Sequence, residues 1–160
     1  MAAPERPLRA GEILKGLTGG GVEFVVVGGI AVQAHGYIRA TRDVDVVPRP
    51  SPVNSRRLSE ALSHLEAETL ERKAHLARFN TREGRLDILD FEEMAGAPSS
   101  FDEFRRRALV IDLDGIEIPV AGLDDLVRMK RAAGRPHDLV DIGALTRDDE
   151  ELEREAREST

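Results

Sequence analysis

Two short apolar segments, each with an unusual feature, limit most strongly what this chain can fold into. Residues 23–27 end at Gly28-Gly29, and residues 43–47 carry Asp43 and Asp45 between valines. Because successive side chains of a strand point to opposite faces, Asp43 and Asp45 project from the same face. Two neighbouring carboxylates repel each other unless a cation lies between them. The pattern therefore predicts two buried strands with a metal site on the second, and a solvated edge strand is the alternative.

A later strand supplies a third acid. Residues 75–90 are predicted to form a hairpin that turns at residues 81–84, and its second strand carries Asp87 and Asp90. These two acids are three positions apart and face opposite sides of a regular strand, so only one can join the first pair. We favour Asp87 because it alternates with apolar neighbours as Asp45 does, whereas Asp90 lies at the strand end. Nucleotidyl transfer uses divalent ions bridged by carboxylates, with one carboxylate to activate the attacking hydroxyl.

The rest of the pattern predicts an α+β fold, in which helices pack on a small mixed β-sheet. A second hairpin is expected at residues 109–120, turning at Asp114-Gly115. Helices are expected at residues 9–17, 30–35, 52–65, 101–107, 123–133 and 138–145. We expect one domain over residues 1–160, with a catalytic core at about 20–120, a short C-terminal helical segment at about 121–146 and a charged tail at 147–160. The tail is either a solvated helix or frayed.

Composition excludes several classes of function. The 160 residues include no cysteine and carry a formal net charge of −7. Disulfides and thiolate metal sites are therefore excluded, and no apolar run approaches the length of about 18 residues that a membrane span needs. The expected location is the cytoplasm. The acidic balance argues against an autonomous nucleic-acid binder, although a brief encounter with a nucleic-acid substrate at a local patch remains open.

Two motifs resemble a known superfamily. The glycine pair, the pattern Arg39-x-Thr41-x-Asp43-x-Asp45 and the later acid resemble the nucleotidyltransferases with the DNA polymerase β catalytic fold. Within that superfamily the pattern looks closest to the small AbiEii-like and MenT-like toxin nucleotidyltransferases. Residues 126–142 are similar to the Lys…Arg-x-x-Asp-x-x-Asp segment of that branch. The resemblance covers roughly residues 20–145. It departs at the glycine pair, where many members have Gly-Ser.

The resemblance implies a role for each matching residue. By this resemblance Asp43 and Asp45 would bind Mg²⁺ or Mn²⁺, and Asp87 would complete the metal site and act as, or position, the base. The residues expected to admit or contact the triphosphate of an NTP are Gly28, Gly29, Thr41 and Lys130. Asp138 and Asp141 share a helical face, and they are expected either to orient Lys130 or Arg135 or to make a purely structural pair.

The resemblance also implies a reaction. A nucleoside monophosphate would move from an NTP to a hydroxyl of tRNA, of a protein or of a small molecule, and the protein would be a toxin with an antitoxin partner. The alternatives are an antibiotic-modifying nucleotidyltransferase and a non-catalytic nucleotide-binding or antitoxin-type protein of the same fold. A positively charged rim around the site would favour nucleic acid, and an acidic rim a cationic small molecule.

Overall fold

A seven-stranded mixed sheet organises the molecule. The computed structural model describes the backbone of residues 6–158 and the side chains of residues 6–146, 154, 157 and 158. The strands are β1 (Phe24–Val27), β2 (Asp43–Pro48), β3 (Glu68–Arg72), β4 (Leu76–Thr81), β5 (Gly84–Leu89), β6 (Leu109–Leu113) and β7 (Ile116–Val120). Their order across the sheet is β3-β4-β5-β2-β1-β7-β6. The pairs β2–β5 and β1–β7 are parallel, and the other neighbours are antiparallel.

Six α-helices and one 3₁₀ turn complete the described part of the chain. They are α1 (Ala10–Gly19), α2 (Gly28–Ala34), α3 (Pro52–His64), the 3₁₀ turn (Phe91–Glu93), α4 (Phe101–Arg106), α5 (Leu123–Ala133) and α6 (Pro136–Glu158). Together with the sheet they form the α+β fold that the sequence predicts. No helix in the described range is both long and apolar enough to cross a membrane.

The central strands are buried on both faces. All four residues of β1 are buried, and so are Val44, Val46 and Val47 of β2. A strand covered on both sides is expected to be a continuous apolar run, which is what residues 24–27 are. The two aspartates of β2 are therefore exceptions within the core sheet.

Local signals in the sequence position α3 and the start of β1. The Ser51 hydroxyl accepts a hydrogen bond from the Asn54 amide at 3.1 Å, and Pro52 begins the helix. Asn54 is buried, and its side chain bonds both the amide and the carbonyl of Glu23 at 2.8 and 2.9 Å. This contact ties the helix to the start of β1.

Two details of the predicted elements are wrong, and one open alternative is decided. The helix predicted at residues 138–145 begins at Pro136 and continues to Glu158, so the described part of the tail is helical rather than frayed. The helix after the first strand begins at Gly28 rather than at residue 30. Strand β3 was not predicted, because it lies at an exposed sheet edge and lacks an apolar alternation. Residues 1–5 and 159–160 of the predicted domain and tail lie outside the described residues.

Candidate active site

Three aspartates meet at one end of the central strands. In the parallel pairing of β2 with β5, Asp45 lies opposite Asp87, and Asp43 precedes Asp45 by two positions on the same face. One carboxylate oxygen of each residue lies within 4.8 Å of one oxygen of both others. Asp87 is 3% exposed, and its Oδ1 has no hydrogen-bond partner among the described residues. A buried carboxylate oxygen without a partner is costly and points to a missing ligand.

The two glycines are required by the side chains that pack against them. A Cβ atom at Gly28 would lie 2.2 Å from Asp45 Oδ2, and Gly28 has a φ of +69°, which glycine adopts readily. A Cβ atom at Gly29 would lie 2.8 Å from Thr41 Oγ1. Any side chain at residue 28 would therefore displace a carboxylate of the aspartate cluster.

The protonation behaviour of the cluster reflects its crowding. Burial, and then the charges of Asp43 and Asp87, raise the pKa of Asp45 well above its ordinary value. Burial and the charge of Asp43 also raise the pKa of Asp87, although Arg78 and Arg85 act in the opposite direction. Arg78 Nε lies 3.4 Å from Asp87 Oδ2. Asp45 and Asp87 thus hold their protons more tightly than free aspartates do, and a bound cation would relieve the repulsion within the cluster.

The donor set fits a hard divalent cation. All three groups supply carboxylate oxygens, which suit Mg²⁺ and Mn²⁺. The partnerless oxygen of Asp87 is available for coordination. Asp43, Asp45 and Asp87 are thus the residues that could hold the metal.

A second charged cluster, which we call the α5–α6 network, consists of Arg39, Lys130, Arg135, Asp138 and Asp141. Lys130 is 7% exposed, and its Nζ lies 3.4 Å from Asp138 Oδ1 and 3.0 Å from Asp141 Oδ2. Arg39 Nη1 donates to both Asp141 oxygens at 2.7 and 2.6 Å, and Arg135 Nε donates to Asp138 at 2.6 Å. Although burial opposes it, Arg135 and Lys130 lower the pKa of Asp138. Both acids therefore contact Lys130, whereas Arg135 pairs with Asp138 and Arg39 with Asp141. Lys130 is not a solvated surface lysine.

Both clusters face one cavity of about 650 Å³. Its lining includes six of the seven residues predicted for the site, namely Gly28, Gly29, Asp43, Asp45, Asp87 and Lys130. Thr41 does not line the cavity; it lies behind Gly29, and its hydroxyl donates to the Asp43 carbonyl at 3.0 Å. The structure thus brings the glycine pair, the three aspartates and Lys130 to one cavity, whereas Thr41 lies behind Gly29.

The lining also contains residues that sequence reasoning missed. These are chiefly Arg39, His75, Arg78, Glu93, Met94 and Met129. A signal existed for two of them. The hairpin turn at residues 81–84 sets Arg78 opposite Asp87, and Arg39 continues the two-residue period of the Asp43-x-Asp45 motif. No local signal marks Glu93 or Met94, because their place depends on how the chain folds back after β5.

Comparison with a family model identifies the chain. The family described as nucleotidyltransferase of unknown function (DUF6036) matches residues 12–147. The chain belongs to this family. It is thus a nucleotidyltransferase by family, as the aspartate cluster suggested. The narrower resemblance to AbiEii-like and MenT-like toxins is not confirmed by the comparisons, and no curated protein matches the sequence.

Solved structures of the same fold include antibiotic-modifying enzymes. The lincosamide antibiotic adenylyltransferase LnuA, bound to lincomycin, is similar with a TM-score of 0.63 and 16% identity, over 88% of this chain and 98% of that one. ANT(2'')-Ia, in complex with adenylyl-2''-tobramycin, is similar with a TM-score of 0.59 and 12% identity, over 89% of this chain and 87% of that one. At these identities the likeness shows the fold.

Proposed function

We propose that this protein is a Mg²⁺-dependent enzyme that transfers a nucleoside monophosphate from an NTP to a hydroxyl group of an acceptor. The convergence of Asp43, Asp45 and Asp87 beside the glycine pair carries the proposal. Such a cluster of carboxylates repels itself without a cation and has the oxygen ligands that Mg²⁺ or Mn²⁺ prefers.

Each residue has a proposed role. Asp43 and Asp45 hold the metal, and Asp87 completes the metal site and takes the proton from the acceptor hydroxyl. The glycine pair admits the triphosphate, Lys130 contacts it as a compact cation, and Thr41 contacts it after its hydroxyl turns away from the Asp43 carbonyl. The metal, when bound, would neutralise phosphate charge and make the hydroxyl easier to deprotonate.

The reaction balances as one substitution at phosphorus. The acceptor oxygen forms a bond to the α-phosphorus while the bond from that phosphorus to the bridging oxygen of the β-phosphate breaks. The acceptor proton passes to Asp87, and pyrophosphate leaves. The products are an acceptor esterified with a nucleoside monophosphate and pyrophosphate.

The acceptor divides the proposal into two branches. A small molecule is supported by the neighbours named above, whose structures hold lincomycin and adenylyl-tobramycin. Modification of tRNA or of a protein by a toxin that an antitoxin neutralises is the alternative. In either branch we propose the cytoplasm as the location of the reaction, since it uses an NTP.

The experiment supplies each α-phosphate-labelled NTP with Mg²⁺ and, in separate reactions, total tRNA, total protein, lincomycin or tobramycin. Transfer by the wild type should fall by about 10⁴-fold in Asp45→Ala, equivalent to about 5.5 kcal/mol of transition-state stabilisation. Asp87→Ala should show a similar loss, whereas Asp90→Asn should remain active, because Asp90 lies outside the aspartate cluster and the Asn side chain can still cap the 3₁₀ turn through the Glu92 amide. Transfer that survives Asp45→Ala would remove the proposed metal role.

A further inference from the structure

The cavity extends beyond the two charged clusters into an apolar region. Leu76 and Leu89 line it from the sheet, Met94 from the segment after the 3₁₀ turn, and Leu126 and Met129 from α5. Flexible thioether and aliphatic side chains adapt to the shape of an apolar ligand. The lining contains no Phe, Tyr or Trp, and its two ring side chains are those of His75 and His137. The cavity therefore lacks the large aromatic side chains on which proteins commonly stack the bases of single-stranded RNA.

A close backbone contact encloses this apolar region. A Cβ atom at Gly96 would lie 2.9 Å from the Arg128 carbonyl oxygen and 3.0 Å from the Ala132 Cβ, and Gly96 has a φ of +75°. The segment that carries Met94 is therefore seated directly on α5. The sheet, α5 and this segment bound a cavity of about 650 Å³, which must hold the reacting ends of both substrates. Cavities of this size are typical of small-molecule sites.

The charges of the lining do not favour a polyanionic acceptor in addition to the triphosphate. Four cationic side chains line the cavity, and each is ion-paired to an acid: Arg39, Arg78, Lys130 and Arg135. By contrast, Glu93 is an exposed residue of the lining, and its carboxylate has no ion pair or hydrogen bond within the described residues. A nucleic-acid acceptor needs surplus positive charge, whereas an unpaired carboxylate accepts hydrogen bonds from hydroxyl or ammonium groups.

We propose that the acceptor is a small hydroxyl compound with an apolar body and no net negative charge, bound between the Glu93–Met94 segment and α5. Its apolar body contacts Met94 and Met129, and a hydroxyl or ammonium group donates to Glu93. The proposal rests on the nucleotidyl transfer proposed above and names the substrate class of the same site. The transfer step and its proton balance are those given there.

The first test asks which class of molecule receives the label. A cell extract is separated by ultrafiltration into small molecules and macromolecules, and each fraction is incubated with the full-length protein, Mg²⁺ and each α-phosphate-labelled NTP. The label should appear on a compound of the small-molecule fraction. Label on RNA or protein alone would overturn the proposal, and so would an absence of label from both fractions. Calorimetry with Mg²⁺ and a non-hydrolysable NTP analogue separates the proposed acceptor class from the proposed nucleotidyl transfer. A protein that binds no nucleotide contradicts the proposed transfer itself.

The second test perturbs the contact between the Gly96 segment and α5, and it uses the labelled compound from the first test as acceptor. Gly96→Ala pushes the segment away from α5 and should raise the KM for the acceptor by about tenfold, which corresponds to about 1.4 kcal/mol. The KM for the NTP should change little. Gly115→Ala is the matched control, because Gly115 has a similar φ of +84° but no atom within 4 Å of an added Cβ. Equal effects of the two substitutions would contradict the proposed subsite.

The third test removes the free carboxylate. Glu93→Gln should raise the acceptor KM by about tenfold, as expected for loss of a hydrogen bond to a charged group, without raising the KM for the NTP. Glu92→Gln is its control, because Glu92 is a neighbouring exposed acid that lines a different cavity. If Glu93→Gln leaves the acceptor KM unchanged, or raises the KM for the NTP, Glu93 does not accept a hydrogen bond from the acceptor as proposed.

Discussion

The α5–α6 network and the aspartate cluster both place carboxylates beside one cavity, but the protein treats their charge differently in the two places. In the network, Asp138 and Asp141 contact Lys130, Arg39 and Arg135 at distances of 2.6–3.4 Å. In the cluster, the nearest neighbours of each aspartate include two further aspartates. The protein therefore neutralises the first set itself and leaves the second set short of positive charge.

The pKa values record this difference. Arg135 and Lys130 lower the pKa of Asp138 despite its complete burial, whereas burial and two like charges raise the pKa of Asp45. The ion pairs of the α5–α6 network connect α5, α6 and the segment before β2. The crowded like charges of the aspartate cluster cost stability, and we infer that they are retained for a ligand that supplies the missing positive charge.

The largest effect on stability is expected in the α5–α6 network. Asp141→Asn removes the acid that Arg39 and Lys130 share, so Arg39 loses its ion pair and the buried Lys130 keeps only Asp138, which also pairs with Arg135. The free energy of unfolding should fall by about 3 kcal/mol, as measured by urea denaturation. Asp45→Asn should cause no such loss, because it removes a charge from a cluster that has too many of one sign.

A surface pair provides the control for that comparison. Asp114 makes an exposed ion pair with Lys15, and Asp114→Asn preserves a side chain that tolerates the positive φ of this turn. This substitution should change the free energy of unfolding little. If Asp141→Asn proves equally harmless, the network does not hold these elements together.

An added cation should distinguish the two regions next. Mg²⁺ at about 100 times its dissociation constant should stabilise the wild type by about 2.7 kcal/mol, because it binds only the folded cluster. The stabilisation should be absent in Asp45→Asn and retained in Asp90→Asn. Thermal unfolding with Mg²⁺ or with a chelator measures it, and an equal response of Asp45→Asn would place the metal elsewhere.

The smallest effect concerns pH. Without metal, folded Asp45 keeps its proton to a higher pH than in the unfolded chain, where its pKa is near 3.8. Stability should therefore fall as pH rises from about 4 through the raised pKa, by about 1.4 kcal/mol for each unit by which the pKa is raised. Asp45→Asn should lack this part of the pH dependence. The comparison uses denaturation in the presence of a chelator, and parallel curves for both proteins would contradict the assigned cause.

Local rules predicted much of the fold and part of the site. Both hairpins follow from their turn residues, and α3 and α4 follow from the serine caps Ser51 and Ser100. The preference for Asp87 over Asp90 came from strand alternation, and in the structure Asp87 is the one that lies beside Asp45. Strand β3 was missed, because it lies at an exposed edge of the sheet and carries no apolar period.

The sequence by itself determined that Asp43 and Asp45 share a face of a buried strand and that a glycine pair ends the strand before it. Both follow from interactions between near neighbours in the chain. Only the tertiary structure decided that β2 pairs in parallel with β5, that Gly28 admits the Asp45 carboxylate, and that α5 brings Lys130 to the same cavity. The physical reason is that these contacts join residues far apart in the chain, and their free energy comes from burying the central valines rather than from any local pattern.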